Sequence, residues 1–252
     1  MGRIVPGVPA TTLAGRWPGS LVPVDYQPRT IALVAELLHP PVDPDPRPLQ
    51  KIHDQLFETG APPYAGFQLI PGGALLSNPV NQPAAISQVA FLPDRMQFRE
   101  ERTTQTPETF GARLRQVLEA AAPLRGLSGL NSSQVILRSL VNPRHWRDSR
   151  EFLKEAVLGL GEELDSLGRA PGTYGVRFAF PGEGENALPL DLRIESFNAD
   201  PRSLFLEIRA AHGPLALPGG LGALEGHIHA TYRFLTDRAL PFVARFDARA
   251  TH

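Results

Sequence analysis

Cysteine is absent from this chain of 252 residues. Its absence excludes disulfide bonds, thiolate metal ligands and cysteine nucleophiles. Long apolar stretches are missing as well, since no segment approaches the roughly 20 apolar residues that a membrane-spanning helix needs. Residues 1–21 carry two arginines and no long apolar core, which is not the pattern of a secretory signal. We therefore expect a cytoplasmic protein without a membrane anchor.

A charge excess of either sign is also missing, because 25 basic and 26 acidic residues give a formal net charge of −1. No global field therefore favours a polyanion or an anionic membrane. Lysine is nearly absent: apart from Lys51 and Lys154, every basic residue is an arginine. Either a GC-rich coding bias explains this excess, or it reflects the suitability of the guanidinium group for pairing with carboxylates and phosphates.

The apolar content is sufficient for a core, since 42% of the residues are hydrophobic and 20% are charged. Residues 1–28 hold five prolines and several glycines, a composition that neither a helix nor a central strand tolerates. We predict an extended arm over residues 1–28 and a single domain over residues 29–252, with a possible subdivision near 142–148.

Alternating apolar and polar residues between 174 and 211 predict a three-stranded antiparallel meander. Val176, Leu192 and Leu206 are typical of its buried face. Arg193 and Glu207 fall on the opposite face, which we expect to be exposed to solvent. The flanking helical segments are expected to cover the apolar face.

Local signals predict the elements of the N-terminal half. Residues 30–39 are nearly all apolar, as in a central strand. Asp45 and Pro46 begin a short helix that Gly60 ends. Its predicted apolar face holds Leu49, Ile52, Leu56 and Phe57. Two hairpins follow, over residues 67–77 and 87–100, around turns of suitable residue types.

Further elements are predicted in the C-terminal half. Thr106 and Pro107 begin a second helix, and residues 134–141 form a strand. A third helix is expected from Asp148 or Ser149 to Gly168. Its predicted apolar face holds Leu153, Val157, Leu160, Leu164 and Leu167. Residues 212–226 have the composition of a mobile surface loop. The last helix is predicted from the spacing of Ile228, Tyr232, Leu235, Ala239, Val243 and Phe246, with a bend at Pro241.

Strands and helices thus mix without the regular alternation that a parallel sheet requires. We predict an α+β fold, in which about four helices pack on a mainly antiparallel sheet. No internal repeat is visible in the sequence.

Arginines cluster around one tryptophan in residues 138–150. The cluster comprises Arg138, Arg144, His145, Trp146, Arg147 and Arg150. Guanidinium groups and helix N-termini favour anions, and an indole can stack on a base, so this cluster is our candidate site for an anion or a nucleic acid. In the alternative interpretation it is structural: Trp146 packs on the core, and the arginines pair with Asp148, Glu151 and Glu155.

Other polar signals are weaker. Glu36 interrupts the first strand and, if buried, could serve as a general acid or base. The simpler interpretation is that it pairs with an arginine such as Arg138 or lies at a sheet edge. His227 and His229 would share one face of a strand, but we predict a helix there, where residues two apart do not face each other. We interpret them as solvated histidines, and we expect no metal site and no cofactor.

The segment 190–208 (LDLRIESFNADPRSLFLEI), with ATYRFL at 230–235 and RFD at 245–247, resembles an uncharacterised group of sporadically distributed bacterial proteins of about this length. The resemblance covers the C-terminal quarter. Its motifs are structural, since Asp200, Pro201 and Arg202 are typical of a hairpin turn. The resemblance implies a fold and a bacterial origin, and it transfers no activity and no catalytic residue.

No motif of an enzyme is visible in the sequence. The sequence therefore favours a non-enzymatic binding or assembly protein that acts through protein contacts, as a homodimer or with a protein partner. Two alternatives stay open. One is binding of a nucleic acid or nucleotide through residues 138–150, and the other is an enzyme with dispersed residues around Glu36 and Arg138.

Overall fold

A computed structural model describes residues 26–79, 84–182 and 188–248. Most of the predicted arm, residues 1–28, lies outside these ranges. Of the last three residues of the arm, which are described, Tyr26 is buried. None of the described helices is long and apolar enough to cross a membrane.

The helices are α1 (Pro46–Glu58), α2 (Pro107–Leu124), α3 (Ser149–Glu151), α4 (Leu221–Phe234) and α5 (Leu240–Asp247). A π-helical turn (Phe152–Leu158) and a 3₁₀ helix (Gly161–Leu167) follow α3, and a second π-helical turn (Leu235–Ala239) joins α4 to α5. The strands are β1 (Arg29–Leu38), β2 (Gly66–Ile70), β3 (Gly73–Ser77), β4 (Ile86–Phe91), β5 (Arg95–Glu101), β6 (Gly129–Leu130), β7 (Ser132–Val141), β8 (Gly175–Phe180), β9 (Leu190–Ser196), β10 (Leu204–His212) and β11 (Leu215–Ala216).

Nine of these strands form one sheet in the order β2-β3-β4-β5-β1-β7-β10-β9-β8, and β11 pairs with β6 in a separate small sheet. Every pair is antiparallel. The predicted α+β fold with a mainly antiparallel sheet is therefore confirmed. The first strand, both hairpins and the three-stranded meander are present close to their predicted bounds.

The sheet consists of two units with the same order of elements: a strand, a helix, a meander and a helix. In the N-terminal unit, β1 and α1 precede the meander β2 to β5, and α2 follows. In the C-terminal unit, β7 and α3 precede the meander β8 to β10, and α4 follows. In each unit the last meander strand pairs with the first strand of the unit, and β1 pairs with β7 at the centre of the sheet. The chain thus contains a structural repeat that its sequence does not show.

Helices cover one face of the sheet, here called the helical face. Because side chains alternate along a strand, every second residue points to this face, and Ala35, Phe98 and Val135 there are almost fully buried. Helix α2 packs against both α1 and α4, and α4 packs on β7 and β10. Leu192 and Leu206 are also buried, which confirms the apolar side predicted for the meander.

Local capping begins α1 and α2 as predicted. The Asp45 carboxylate accepts the backbone N–H of Arg47 at 3.0 Å, and the hydroxyl of Thr106 accepts the N–H of Thr109 at 3.3 Å. A proline occupies the first turn of each helix. The apolar face of α1 is narrower than predicted, because Phe57 is 51% exposed.

The third predicted helix is wrong as a continuous element. The short α3, the first π-helical turn and the 3₁₀ helix take its place. Gly159 and Gly161 have φ angles of 60° and 47°, a left-handed backbone that glycine adopts without steric cost and that ends a right-handed helix. Of the predicted apolar face, Leu153 is fully buried and Leu167 is 62% exposed.

The prediction of a structureless loop over residues 212–226 is also wrong. Strand β10 extends through His212, β11 pairs with β6, and α4 already begins at Leu221. Leu217, Leu221 and Leu224 are buried. Burial of each leucine contributes about 2 kcal/mol, which outweighs the glycine content. The last helix is divided by the second π-helical turn, which ends just before the predicted bend position Pro241 in the first turn of α5.

Candidate functional site

The face opposite the helical face, here called the open face, carries most of the charged side chains of the sheet, and no described helix packs on it. Along one row of cross-strand neighbours, Arg138, Glu207, Arg193 and Arg177 follow each other on β7, β10, β9 and β8. Beside this row lies an open groove of about 1200 Å³. The lining of this open-face groove includes Arg102, Tyr174, Arg177, Asp191, Arg193, Glu195, Phe197, Phe205, Glu207 and Arg209.

Three ion pairs line the open-face groove, and in each of them the arginine is more exposed than the carboxylate. They are Arg177–Asp191 at 3.0 Å, Arg193–Glu195 at 2.5 Å and Arg209–Glu207 at 2.8 Å. The arginine side chains are 69%, 45% and 43% exposed, whereas their carboxylate partners are 33%, 24% and 5% exposed. In each pair the guanidinium group therefore lies nearer to the solvent than the carboxylate.

Glu207 lies at the centre of a longer chain of alternating charges. Its carboxylate accepts hydrogen bonds from Arg138 at 2.7 Å and from Arg209 at 2.8 Å. Burial by itself raises the pKa of the Glu207 carboxyl, but the hydrogen bonds from the two arginines outweigh burial and leave that pKa lowered. Arg138 also lies 3.8 Å from Glu101, across the small side chain of Ala32 on β1.

Strand β8 ends the sheet, and no described strand pairs with its outer edge. The N–H of Ser196 on β9 donates to the carbonyl of Tyr174 at 2.9 Å. Since residues of an antiparallel strand direct their backbone groups alternately to the two sides, every second residue from Tyr174 faces β9. The backbone N–H and C=O groups of Gly175, Arg177 and Ala179 are therefore directed outward.

Five phenylalanines lie beside this edge and are here called the aromatic row. They are Phe178, Phe180, Phe234, Phe242 and Phe246. Neighbouring ring centroids are 5.0–6.5 Å apart, a spacing of favourable aromatic pairs. Phe180 is 42% exposed, and the other four rings are partly buried against the core.

The sequence-predicted cluster of residues 138–150 is divided between two places. Arg138 lies on the open face, as described above. Arg144 and His145 lie in the loop after β7, and their backbone N–H groups donate to the buried carboxylate of Asp247 on α5, at 2.7 Å and 3.1 Å. The hydroxyl of Tyr26 donates to the same carboxylate. Burial first, and this hydrogen bond second, raise the pKa of Tyr26. Asp247 thus joins the N-terminal segment, this loop and α5.

The remaining residues of the cluster contact their neighbours in the loop. Trp146 packs edge-to-face on Phe152, with ring centroids 6.1 Å apart. Arg150 pairs with Asp148 at 2.6 Å, and Arg147 is exposed. The packing of Trp146 and the Arg150–Asp148 pair match the structural interpretation of this segment.

Two histidines stack where the end of β10 meets α4. The rings of His212 and His227 lie 3.6 Å apart and nearly parallel, and the hydroxyl of Ser133 is 3.4 Å from His227 Nδ1. Burial, followed by the nearby charge of His227, lowers the pKa of His212 to about 4, and burial also lowers the pKa of His227. The prediction of a solvated pair is wrong for His227. His229 lies 3.8 Å from Glu108.

Within the described ranges no group of three or more histidine or carboxylate side chains is arranged to hold a metal ion. Glu36 pairs with Arg95 at 2.8 Å, not with Arg138, and β1 is a central strand. Glu36 thus pairs with an arginine of a neighbouring strand as predicted, although the partner is Arg95 and not the example Arg138, and the alternative of a sheet edge is wrong. The strand register places Glu36 between Gln97 and Gln134, within reach of the arginine that begins β5.

The N-terminal unit holds a buried polar cluster under α2. One Glu100 carboxylate oxygen accepts hydrogen bonds from Arg113 at 2.5 Å and Ser87 at 2.9 Å, with the Tyr64 hydroxyl at 3.4 Å. The Glu100 side chain is 1% exposed. A buried carboxylate without a cationic partner would cost several kcal/mol of stability, and Arg113 supplies that partner to Glu100.

Sequence reasoning did not recognise the open-face groove. Arg193 and Glu207 were assigned only to the solvated side of the meander, and Arg177 was not assigned. A usable signal exists, because arginines at the polar positions of three successive strands must share one face. Their layering over carboxylates depends on side-chain packing, which alternation alone does not specify.

No protein-family model matches the chain, and no curated protein matches it significantly. The resemblance to sporadically distributed bacterial proteins stays a prediction. Function is therefore inferred from the two sites that the fold presents, the edge of β8 with its aromatic row and the open-face groove.

Proposed function

We propose that this chain is a non-enzymatic assembly protein that acts through protein–protein contacts, with strand β8 as its docking strand and a second copy as its partner. The observation that supports this proposal is the outward-directed backbone of Gly175, Arg177 and Ala179 beside the aromatic row. An unpaired strand edge is a template for strand addition from another chain.

Backbone pairing alone would give little stability, and the aromatic row supplies the apolar surface. Aromatic residues are enriched at protein interfaces because they bury a large area with little loss of side-chain entropy. In a two-fold dimer the same edge serves both subunits, so β8 pairs antiparallel with its own copy. Each subunit then contributes the exposed Phe180, supported by the rings packed behind it, and the two sheets become one.

The opposite edge of the sheet, β2, is a weaker candidate. It carries the exposed Leu69 and lies near the exposed Phe57, which are 57% and 51% exposed. Leu69 and Phe57 lie on separate elements, whereas the rings beside β8 form one continuous row of contacts that ends on the edge strand itself. We therefore assign the dimer contact to β8 and use Leu69 as the matched control.

The test is size-exclusion chromatography with light scattering over a dilution series. We expect the wild-type chain to dimerise and Ala179→Pro to be monomeric, because proline removes an outward N–H without breaking a bond to β9. Phe180→Asp should weaken the dimer at least tenfold, whereas Leu69→Asp should leave it unchanged. Circular dichroism should show that all three variants remain folded.

A wild-type protein that is monomeric at every concentration would refute the proposal. If dimers persist in both Ala179→Pro and Phe180→Asp, β8 is not part of the interface and the proposal is also refuted. Loss of the dimer in Leu69→Asp alone would transfer the contact to β2.

A further inference from the structure

The open-face groove presents positive charge although it contains nearly as many carboxylates as arginines. The carboxylates of Asp191, Glu195 and Glu207 lie beneath their arginine partners, as the exposed fractions show. A guanidinium group has five N–H donors, and a carboxylate engages only some of them. Because Arg177, Arg193 and Arg209 line the groove, the remaining donors can bind a ligand there. The carboxylates also hold the arginines in place, so that less side-chain entropy is lost when a ligand binds.

The arrangement of the arginines favours an anionic ligand. Arg177 and Arg193 are directly opposite each other on β8 and β9, and like charges in this position destabilise a sheet. Asp191 and Glu195 offset part of that repulsion, and an anion bound between the two arginines would offset more of it. Arg102, which also lines the groove, is exposed and has a φ angle of 53°. Such strained non-glycine residues concentrate at functional sites.

The dimensions of the groove favour a polymer over a small ion. About 1200 Å³ exceeds the roughly 300–1,000 Å³ of typical small-molecule pockets. Arg209, Arg193 and Arg177 lie on three successive strands, which are about 4.8 Å apart. Arg193 and Arg177 are directly opposite each other, and Arg209 lies diagonal to Arg193, opposite Asp191. The three arginines therefore form a bent path of donors across the sheet that can follow a flexible chain of anions.

Aromatic side chains in the groove distinguish between polyanions. Phe197 and Phe205 are stacked at an interplanar angle of 16°, with centroids 6.3 Å apart, and the Arg193 guanidinium lies 5.9 Å from the Phe205 ring. Both rings are partly exposed. Proteins that bind single-stranded nucleic acid combine arginines for the backbone with aromatic rings on which bases stack. An acidic polypeptide carries no bases that could stack on these rings.

We propose that the open-face groove binds single-stranded nucleic acid, with Arg177, Arg193 and Arg209 on the phosphates and the Phe197–Phe205 pair beside the bases. The site differs from the loop of residues 142–150 that the sequence suggested. It also does not depend on the dimer, because its side chains project from the face of the sheet and not from the edge of β8.

The test is fluorescence anisotropy with a labelled 15-nucleotide oligo-dT as the probe. With three phosphate contacts, the affinity should fall roughly 15- to 20-fold between 50 and 200 mM salt, since each contact contributes about −0.7 to the logarithmic salt slope. The double variant Arg177→Gln/Arg193→Gln should lose at least tenfold in affinity. Arg102→Gln, at an exposed position that leaves the fold intact, should lose about threefold.

The matched control is Arg144→Gln/Arg147→Gln, which removes the same charge from the loop after β7 and should change the affinity less than twofold. Absence of oligo-dT binding at 50 mM salt would refute the proposal. A loss that occurs in the loop variant and not in the groove variants would also refute it. Binding of poly-glutamate in place of oligo-dT, with the same groove variants impaired, would show that the partner class is wrong. The same anisotropy measurement with the Ala179→Pro variant tests whether oligo-dT binding depends on the proposed dimer. We expect this variant to bind oligo-dT as the wild-type chain does.

Discussion

The two units of the sheet share one order of elements and differ in the regularity of their first helix and in the number of their meander strands. In the N-terminal unit, α1 is a regular helix of 13 residues and the meander has four strands. In the C-terminal unit, a short α3 and two irregular turns replace that helix, and the meander has three strands. The comparison shows that one topology tolerates a broken helix and a shorter meander, because in both units the last meander strand pairs with the first strand of the unit.

The units also place their buried glutamates differently. Glu100 lies on the helical face beneath α2 with Arg113, whereas Glu207 lies on the open face between Arg138 and Arg209. The first carboxylate has one cationic partner and the second has two. Loss of one arginine should therefore have unequal consequences in the two units.

The largest expected effect comes from this pair of sites. Arg113→Met leaves the Glu100 charge buried without a cation and should lower the free energy of unfolding by about 3–5 kcal/mol. Arg138→Met leaves Glu207 paired with Arg209 and should cost about 1 kcal/mol. Urea denaturation at one fixed protein concentration measures both values. Equal losses in the two variants would contradict the distinction between the units.

The next effect is a pH dependence that arises in the C-terminal unit. An unfolded histidine takes up its proton near pH 6.5, whereas the pKa of His212 in the fold is about 4. Between these values the unfolded state binds more protons, so stability decreases as the pH falls, by about 3 kcal/mol over the whole window. Above pH 6.5 this contribution to stability is fully present.

His39 in the N-terminal unit contributes in the same direction, because burial lowers its pKa too. The variant His212→Phe keeps a ring against His227 and removes the titrating group. Chemical denaturation between pH 4 and pH 7 should therefore show a flatter profile for this variant. An unchanged slope would mean that the stacked pair does not control the pH dependence.

A smaller effect is expected at Asp247, which joins the C-terminal unit to Tyr26. Asp247→Ala leaves two backbone N–H groups and a buried hydroxyl without their acceptor and should cost about 2 kcal/mol. The exposed Asp237, whose carboxylate accepts the Thr236 hydroxyl at 2.7 Å, gives the matched control Asp237→Ala. Thermal unfolding should show a clear decrease in Tm for the first variant alone. Similar Tm values for both would disprove a joining role.

The smallest effect tests the break that distinguishes the helix of the C-terminal unit. Gly159 has a positive φ and no atom within 4 Å of an added Cβ, so Gly159→Ala should cost about 1 kcal/mol through backbone strain alone. At Gly172, which also has open space and no positive φ, alanine should change stability by less than about 0.5 kcal/mol. A neutral Gly159→Ala variant would show that the left-handed turn is not what ends the helix.

Local signals were reliable predictors in this chain. The caps at Asp45 and Thr106 act within a single turn, so the starts of α1 and α2 were predicted correctly. The alternation of Leu192, Leu206 and their neighbours identified the meander and its buried face. The third helix was predicted too long, because its apolar spacing continues past Gly159, where the left-handed backbone ends the helix.

The candidate sites were less predictable, because each depends on residues that are distant in sequence. The His212–His227 stack joins a strand to a helix, and the cluster around Asp247 joins three segments. The groove needs β7, β10, β9 and β8 side by side in register. No single stretch of sequence contains these relations.

The sequence by itself determined the elements, their approximate order and the apolar side of the sheet, since capping, turn chemistry and side-chain alternation are local properties. Only the tertiary structure decided that two units repeat, that β8 stays at the outer edge, and that arginines lie above carboxylates in the groove. These features follow from which strands become neighbours and how deeply each charge is buried. Strand pairing and burial are set by the free energy of the whole packed chain, and a local pattern does not encode them.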